Sequence, residues 1–108
     1  MALINAIVVE PDGTVQKVEI ENGDLKAYQR IVGGYIEGVF GPDVTIYVNE
    51  EGLIHSLPFN RSATVFANRF IAGGHALFGP ALIVGSADSE GNDTHVHESV
   101  VSYYILEN

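Results

Sequence analysis

A few short stretches of this 108-residue chain carry residue types that do chemistry. His95-Val96-His97, with Asp93 before it and Glu98 after it, is the one metal-like cluster. On a strand, residues two apart share a face and could hold one zinc ion; on a helix they point about 200° apart and cannot. The apolar spacing that follows predicts a helix here, so solvent-facing imidazoles in a polar first turn are expected. A metal site would also need a third ligand from elsewhere. Asn49-Glu50-Glu51-Gly52 sets two carboxylates side by side, hard oxygen donors for a divalent cation. Asn and Gly in those places are also what a three-residue hairpin turn requires, and that explains all four residues. Asp88-Ser89-Glu90-Gly91-Asn92-Asp93 is superficially like a calcium loop, but its glycine is misplaced and Ser99 stands where the closing Glu belongs. Gly73-Gly74-His75 to Gly79-Pro80 has phosphate-loop glycines with no Lys-Ser/Thr behind them. Ser56, Ser62 and His55 form no nucleophile motif. No catalytic residue, metal site or cofactor is therefore expected.

The distribution of charge says more. Five basic and 14 acidic residues give a formal charge of −9. That excludes the usual phosphate-backbone binders, which need a Lys/Arg face to release counterions. Residues 31–60 and 86–108 hold acids and no Lys or Arg, whereas residues 61–85 hold Arg61 and Arg69 and no acid. Asn60, Arg61, Arg69 and His75 are thus the expected place for a small anion, where helix N-terminal amides and guanidinium would meet it. The competing reading is that Asn60 caps a helix and Arg61 pairs with one of the surplus carboxylates. Glu50, Glu51, Asp88, Glu90 and Asp93 mark two acidic loops that could face a partner.

The elements that must position these residues follow from local patterns. Leu3 to Glu10 reads as a buried strand, and Pro11-Asp12-Gly13-Thr14 as a turn into a second strand from Val15 to Ile20. Asp24 is placed to cap a helix from Leu25 to Val32, with Gly33 closing it in the left-handed conformation. Tyr35 to Phe40, with a possible bulge at Gly38, and Val44 to Val48 flank the turn Gly41-Pro42-Asp43. Leu53 to Leu57 reads as the strand returning from the Asn49–Gly52 turn. Asn60 begins a short helix over Ser62 to Asn68, Ile71 to His75 is a loop or a second bulged edge, and Ala81 to Gly85 is a last buried strand. After a polar loop from Ser86, Asp93 or Thr94 caps a C-terminal helix with the apolar stripe Val96, Val100, Tyr103 and Tyr104.

Four blocks occur in order: Ile31-Val32-Gly33-Gly34-Tyr35-Ile36-Glu37, Val48-Asn49-Glu50-Glu51-Gly52, Leu57-Pro58-Phe59-Asn60-Arg61 and Ala81-Leu82-Ile83-Val84-Gly85. With the opening Ile7-Val8-Val9-Glu10-Pro11, they make residues 4 to 85 resemble a family of small proteins classified as a domain of unknown function. That family is common in actinobacteriophages, other phages and mobile elements. The resemblance implies a viral or mobile-element source and action in the cytosol of an infected bacterium, and it implies no reaction. Gly74 to Pro80 looks inserted relative to the family.

The chain has no Cys, which excludes disulfides and thiolate chemistry and fits a reducing cytosol. Its N-terminus lacks a basic region, and the weakly polar stretch from Ala76 to Ala87 is too short and broken to span a bilayer. The expectation is one α+β domain over residues 1–108. An antiparallel-rich mixed sheet of five or six strands would pack on one main helix and a C-terminal helix, with homo-oligomers possible at this size. The expected function is binding, not catalysis. The chain would be a cytoplasmic accessory protein engaging a host or viral protein, inhibitory in effect, with no direct nucleic-acid or membrane contact. The alternative is a protein that sequesters a nucleotide-like small molecule. A metal-dependent hydrolase using His95 and His97 stands third.

Overall fold

The computed structural model describes residues 2–106. Strands β1 (Leu3–Val9) and β2 (Val15–Glu21) form a hairpin in unbroken register from Leu3 opposite Glu21 to Val9 opposite Val15. The turn between them works as its residues predict. Gly13 takes φ 93°, and the Asp12 carboxylate accepts the Thr14 amide at 2.8 Å. Helix α1 (Leu25–Val32) has the expected caps. Asp24 accepts the Ala27 amide, and Gly33 at φ 83° returns its N–H to the Gln29 carbonyl.

Strands β3 (Ile36–Gly41) and β4 (Val44–Asn49) pair without interruption from Gly41 opposite Val44 to Ile36 opposite Asn49, so Gly38 is not a bulge. Gly38 is instead a place for a ring. A side chain there would collide with the Phe40 phenyl group, which lies over the bare backbone.

The strand expected from Leu53 to Leu57 does not form. Residues 50–56 turn instead, with Gly52 bonded back to the Asn49 carbonyl at 3.1 Å and His55 to that of Glu51 at 2.9 Å. The physical reason is competition for the free side of β4. Strand β5 (Ala81–Val84) takes that place, pairing with β4 through Thr45–Val84, Ile46–Ile83 and Tyr47–Leu82. Its other side pairs with β1, giving the order β2-β1-β5-β4-β3 with every pairing antiparallel. Among the described residues the sheet has five strands and no parallel pair, and the fold is α+β as its elements predict.

Helix α2 (Arg61–Phe70), expected to be short, has ten residues and is the longest of the three among the described residues. It packs Ala63, Phe66 and Ala67 on Ile7, Val9, Ile46, Val48 and Ile83. Helix α3 (Glu98–Leu106) covers the same sheet face through Val100 and Tyr104. Helix α1 covers the opposite face, with Tyr28 in a cluster containing Ala6, Val8, Leu82 and Val84. Successive residues of β5 therefore serve opposite cores, which is why this antiparallel strand reads as an uninterrupted apolar run.

Neither Asp93 nor Thr94 caps α3. The helix begins at Glu98, and His97 fills the capping place: its ring Nδ1 accepts the Ser99 amide at 3.1 Å and its carbonyl accepts the Val100 amide at 3.0 Å. The residues before it stay extended because they are tied to the start of β1. Val96 donates to the Asn5 carbonyl, and Asn5 donates to His95 Nδ1. No helix among the described residues is long and apolar enough to cross a membrane.

Candidate functional site

Asn60 shows how the sequence positions the acid-free segment from Arg61 to Gly85. It caps α2, with its Oδ1 accepting the Ala63 amide at 3.0 Å. Its side-chain amide donates to the carbonyls of Val9 and Gly79, both at 2.9 Å, and the residue is fully buried. Cap, β1 and the lead into β5 thus meet on one amide, whose hydrogen-bonding capacity is used inside the fold. Nothing of that side chain faces a ligand. Asn68 clasps the His75 backbone from both sides at 2.8 and 2.9 Å, and the His75 ring contacts the Ala72 carbonyl at the far end of α2.

Arg61 and Arg69 do come together. Both line an open groove of about 490 Å³ between α2 and the β1–β2 turn, over Ser62, Val65 and Tyr103. The Arg69 guanidinium lies 5.6 Å from the Phe70 ring centroid and 5.7 Å from that of Tyr103. This stacking orders a long side chain that would otherwise swing freely. The expected pairing of Arg61 with a surplus carboxylate is not found among the described residues. The ion pair present among the described residues is His55 with Glu51 at 3.5 Å. Asp12 sits on the groove's rim, and hydrogen bonds from Thr14, chiefly from its amide, hold that carboxyl below the usual carboxylate range.

The acidic residues divide. Glu50 and Glu51 are exposed on the loop after β4. Asp88 and Glu90 are exposed, and the Asp88 carboxylate organises its own loop by accepting the Glu90 and Asn92 amides. Asp93 turns inward. It accepts the Tyr28 hydroxyl at 2.9 Å and the Tyr47 hydroxyl at 3.0 Å, and the two rings lie 5.2 Å apart. Burial, with the adjoining Asp93 carboxylate adding to it, pushes the Tyr28 phenol up to about 12 against a weaker downward pull from the Gly23 amide. The Tyr47 phenol is raised for the same two reasons. His95 and His97 each spend a ring nitrogen on accepting a backbone amide, that of Asn5 and that of Ser99 respectively. Among the described residues no group of three or more His, Asp or Glu is placed to hold a metal ion.

Sequence reasoning did not pick out one surface feature. Leu53 and Ile54, expected inside a strand, are 71% and 77% exposed. Beside them Leu53, Phe78 and Ala76 line a shallow depression of about 210 Å³ that also takes in Glu37 and Glu50. Phe59 and Phe78 stack edge to face at 5.6 Å. Gly52 does not take the left-handed conformation that the expected hairpin turn assigns it, and a side chain on it would press 3.1 Å from the Phe78 carbonyl oxygen, a contact with no trace in the local sequence.

The chain is thus an α+β protein whose all-antiparallel sheet carries one helix on one face and two on the other. It belongs to the family described as Domain of unknown function (DUF3846), whose model matches residues 4–107. The match agrees with the resemblance in its sequence blocks and runs beyond them through α3. No curated protein and no solved structure matches the chain.

Proposed function

We propose that this protein acts by binding, as an accessory protein of a phage or mobile element that engages and blocks a host or viral protein. The observation that carries the reading is the Leu53–Ile54 pair, held out in solvent beside Glu50, Glu51 and Glu37. Two adjacent large apolar side chains at this exposure are costly to leave in water. A small apolar centre with a polar rim is the pattern of a protein interface. No Lys or Arg occurs between residues 31 and 60, so the rim carries one sign of charge. Such a rim steers a basic partner toward the apolar centre.

The test is affinity capture from host lysate with the wild type and with the double variant Leu53→Asp/Ile54→Asp. Both positions are exposed, so circular dichroism should be unchanged. A partner retained at low salt, released at high salt and lost with the variant is the expected result. Capture that is indifferent to the variant, or no retained partner at low salt, overturns the reading.

A further inference from the structure

The groove beside α2 carries a different inference. Arg61 and Arg69 stand eight residues apart on one helix, about 12 Å along its axis and about 80° around it. That is the offset of their backbones; both side chains border the one groove, so each can take one phosphate of the same ligand. In a chain with 14 acids and five cations, carboxylate partners abound, yet among the described residues neither arginine has one within ion-pair distance. Residues 61–85 bring no acid to this face. The groove's volume of about 490 Å³ falls in the range of small-molecule sites. Arg69 is already ordered by stacking on Phe70 and Tyr103, which lowers the entropy lost on binding. Ser62 adds a hydroxyl to the groove lining, and the glycine at position 13 leaves the opposite wall open.

One carboxylate complicates a purely anionic ligand. Asp12 lies across the groove from the arginines and is ionised at neutral pH. It repels phosphate and accepts hydrogen bonds from hydroxyls. We infer that the groove binds a small diphosphate ester, its two phosphates on Arg61 and Arg69 and its hydroxyl-bearing part on Asp12. Arginine suits this role because its planar donor fork matches phosphate oxygens two at a time. The site is independent of the Leu53–Ile54 surface, since it shares no residue with it.

Isothermal titration of the full chain with inorganic pyrophosphate, inorganic phosphate and adenosine diphosphate tests this. Pyrophosphate should bind more tightly than phosphate. Arg61→Gln and Arg69→Gln should each weaken pyrophosphate at least tenfold, while Arg30→Gln on α1 should change it less than twofold. Asp12→Asn should strengthen pyrophosphate and weaken adenosine diphosphate. No saturable binding of any probe, or equal weakening by Arg30→Gln, overturns the site. Strengthening of both probes by Asp12→Asn overturns the role given to Asp12. All four side chains are exposed, so loss of binding with an unchanged melting temperature reads on the site and not on the fold.

Discussion

Replacing Asn60 separates a helix cap from a tertiary tie. Asn60→Ala removes three hydrogen bonds at once: the cap on Ala63 and the donations to Val9 and Gly79. A lost Asn cap costs about 1 kcal/mol. Each buried carbonyl left without its donor adds about 1 kcal/mol, and the small void adds more. The expected loss is about 3–4 kcal/mol, a large part of the roughly 5–15 kcal/mol that holds a domain of this size together. At about 4–8 °C per kcal/mol, the melting temperature should fall by some 15–25 °C. Asn60→Asp is the informative partner. It keeps an oxygen for the Ala63 amide but points a carboxylate at two carbonyl oxygens. If the cap dominated, this variant would match the wild type; the structure predicts at neutral pH a loss no smaller than that of the alanine variant. Acid should relieve it. The introduced carboxyl has its folded pKa raised above the unfolded value of about 3.9, so stability relative to wild type is greatest below that value. It then falls as pH rises toward the folded pKa. Thermal melts followed by circular dichroism between pH 3.5 and 7.5 measure all three proteins. Asn60→Asp within about 0.5 kcal/mol of wild type at pH 7, or a loss near 1 kcal/mol for Asn60→Ala, would refute the argument.

Other expectations follow from the same structure. Ile83 lies in the β5 row between Ile7 and Ile46 and is fully buried, so Ile83→Ala should cost about 3–5 kcal/mol by denaturant titration and Ile83→Val about 1. A side chain at Gly85 would collide with the His95 carbonyl and the Thr94 hydroxyl, so Gly85→Ala should destabilise by more than about 2 kcal/mol, with the melt as readout. The raised Tyr28 and Tyr47 phenols make the folded state hold its protons longer than the unfolded state. Stability should therefore be intact below pH 10 and fall between about 10 and 12, and Tyr28→Phe/Tyr47→Phe should flatten that fall. Asp93→Leu strands both hydroxyls and should cost about 2 kcal/mol, whereas Asp88→Ala in its exposed loop should cost under about 1, both read from denaturant midpoints.

What could be read from the sequence was what neighbours in sequence decide. Asp24, Gly33 and the 11–14 turn act on residues within five positions of themselves, and each element they bound is where its residues place it. Leu53–Leu57 failed because its β-prone composition could not reveal that β5, some thirty residues later, occupies the only free edge of β4. The start of α3 failed for a similar reason: Asn5, ninety positions away, holds His95 and Val96 extended. The site shows the same division. Asn60 was recognisable as a cap, but its two other bonds reach β1 and Gly79 and leave no trace nearby in sequence. Arg61 and Arg69 were marked by the absence of acids around them, whereas Tyr103 and the turn at 11–13 join them only through the fold.

Strand β5 has a consequence for a chain still being made. Until residues 81–84 leave the ribosome, the β1–β2 and β3–β4 hairpins share no edge, and the inner sides of β1 and β4 stay unpaired. Both are rich in Ile and Val, the composition most ready to pair with another chain. A truncated or stalled product ending before Ala81 should therefore aggregate, although it contains four of the five strands.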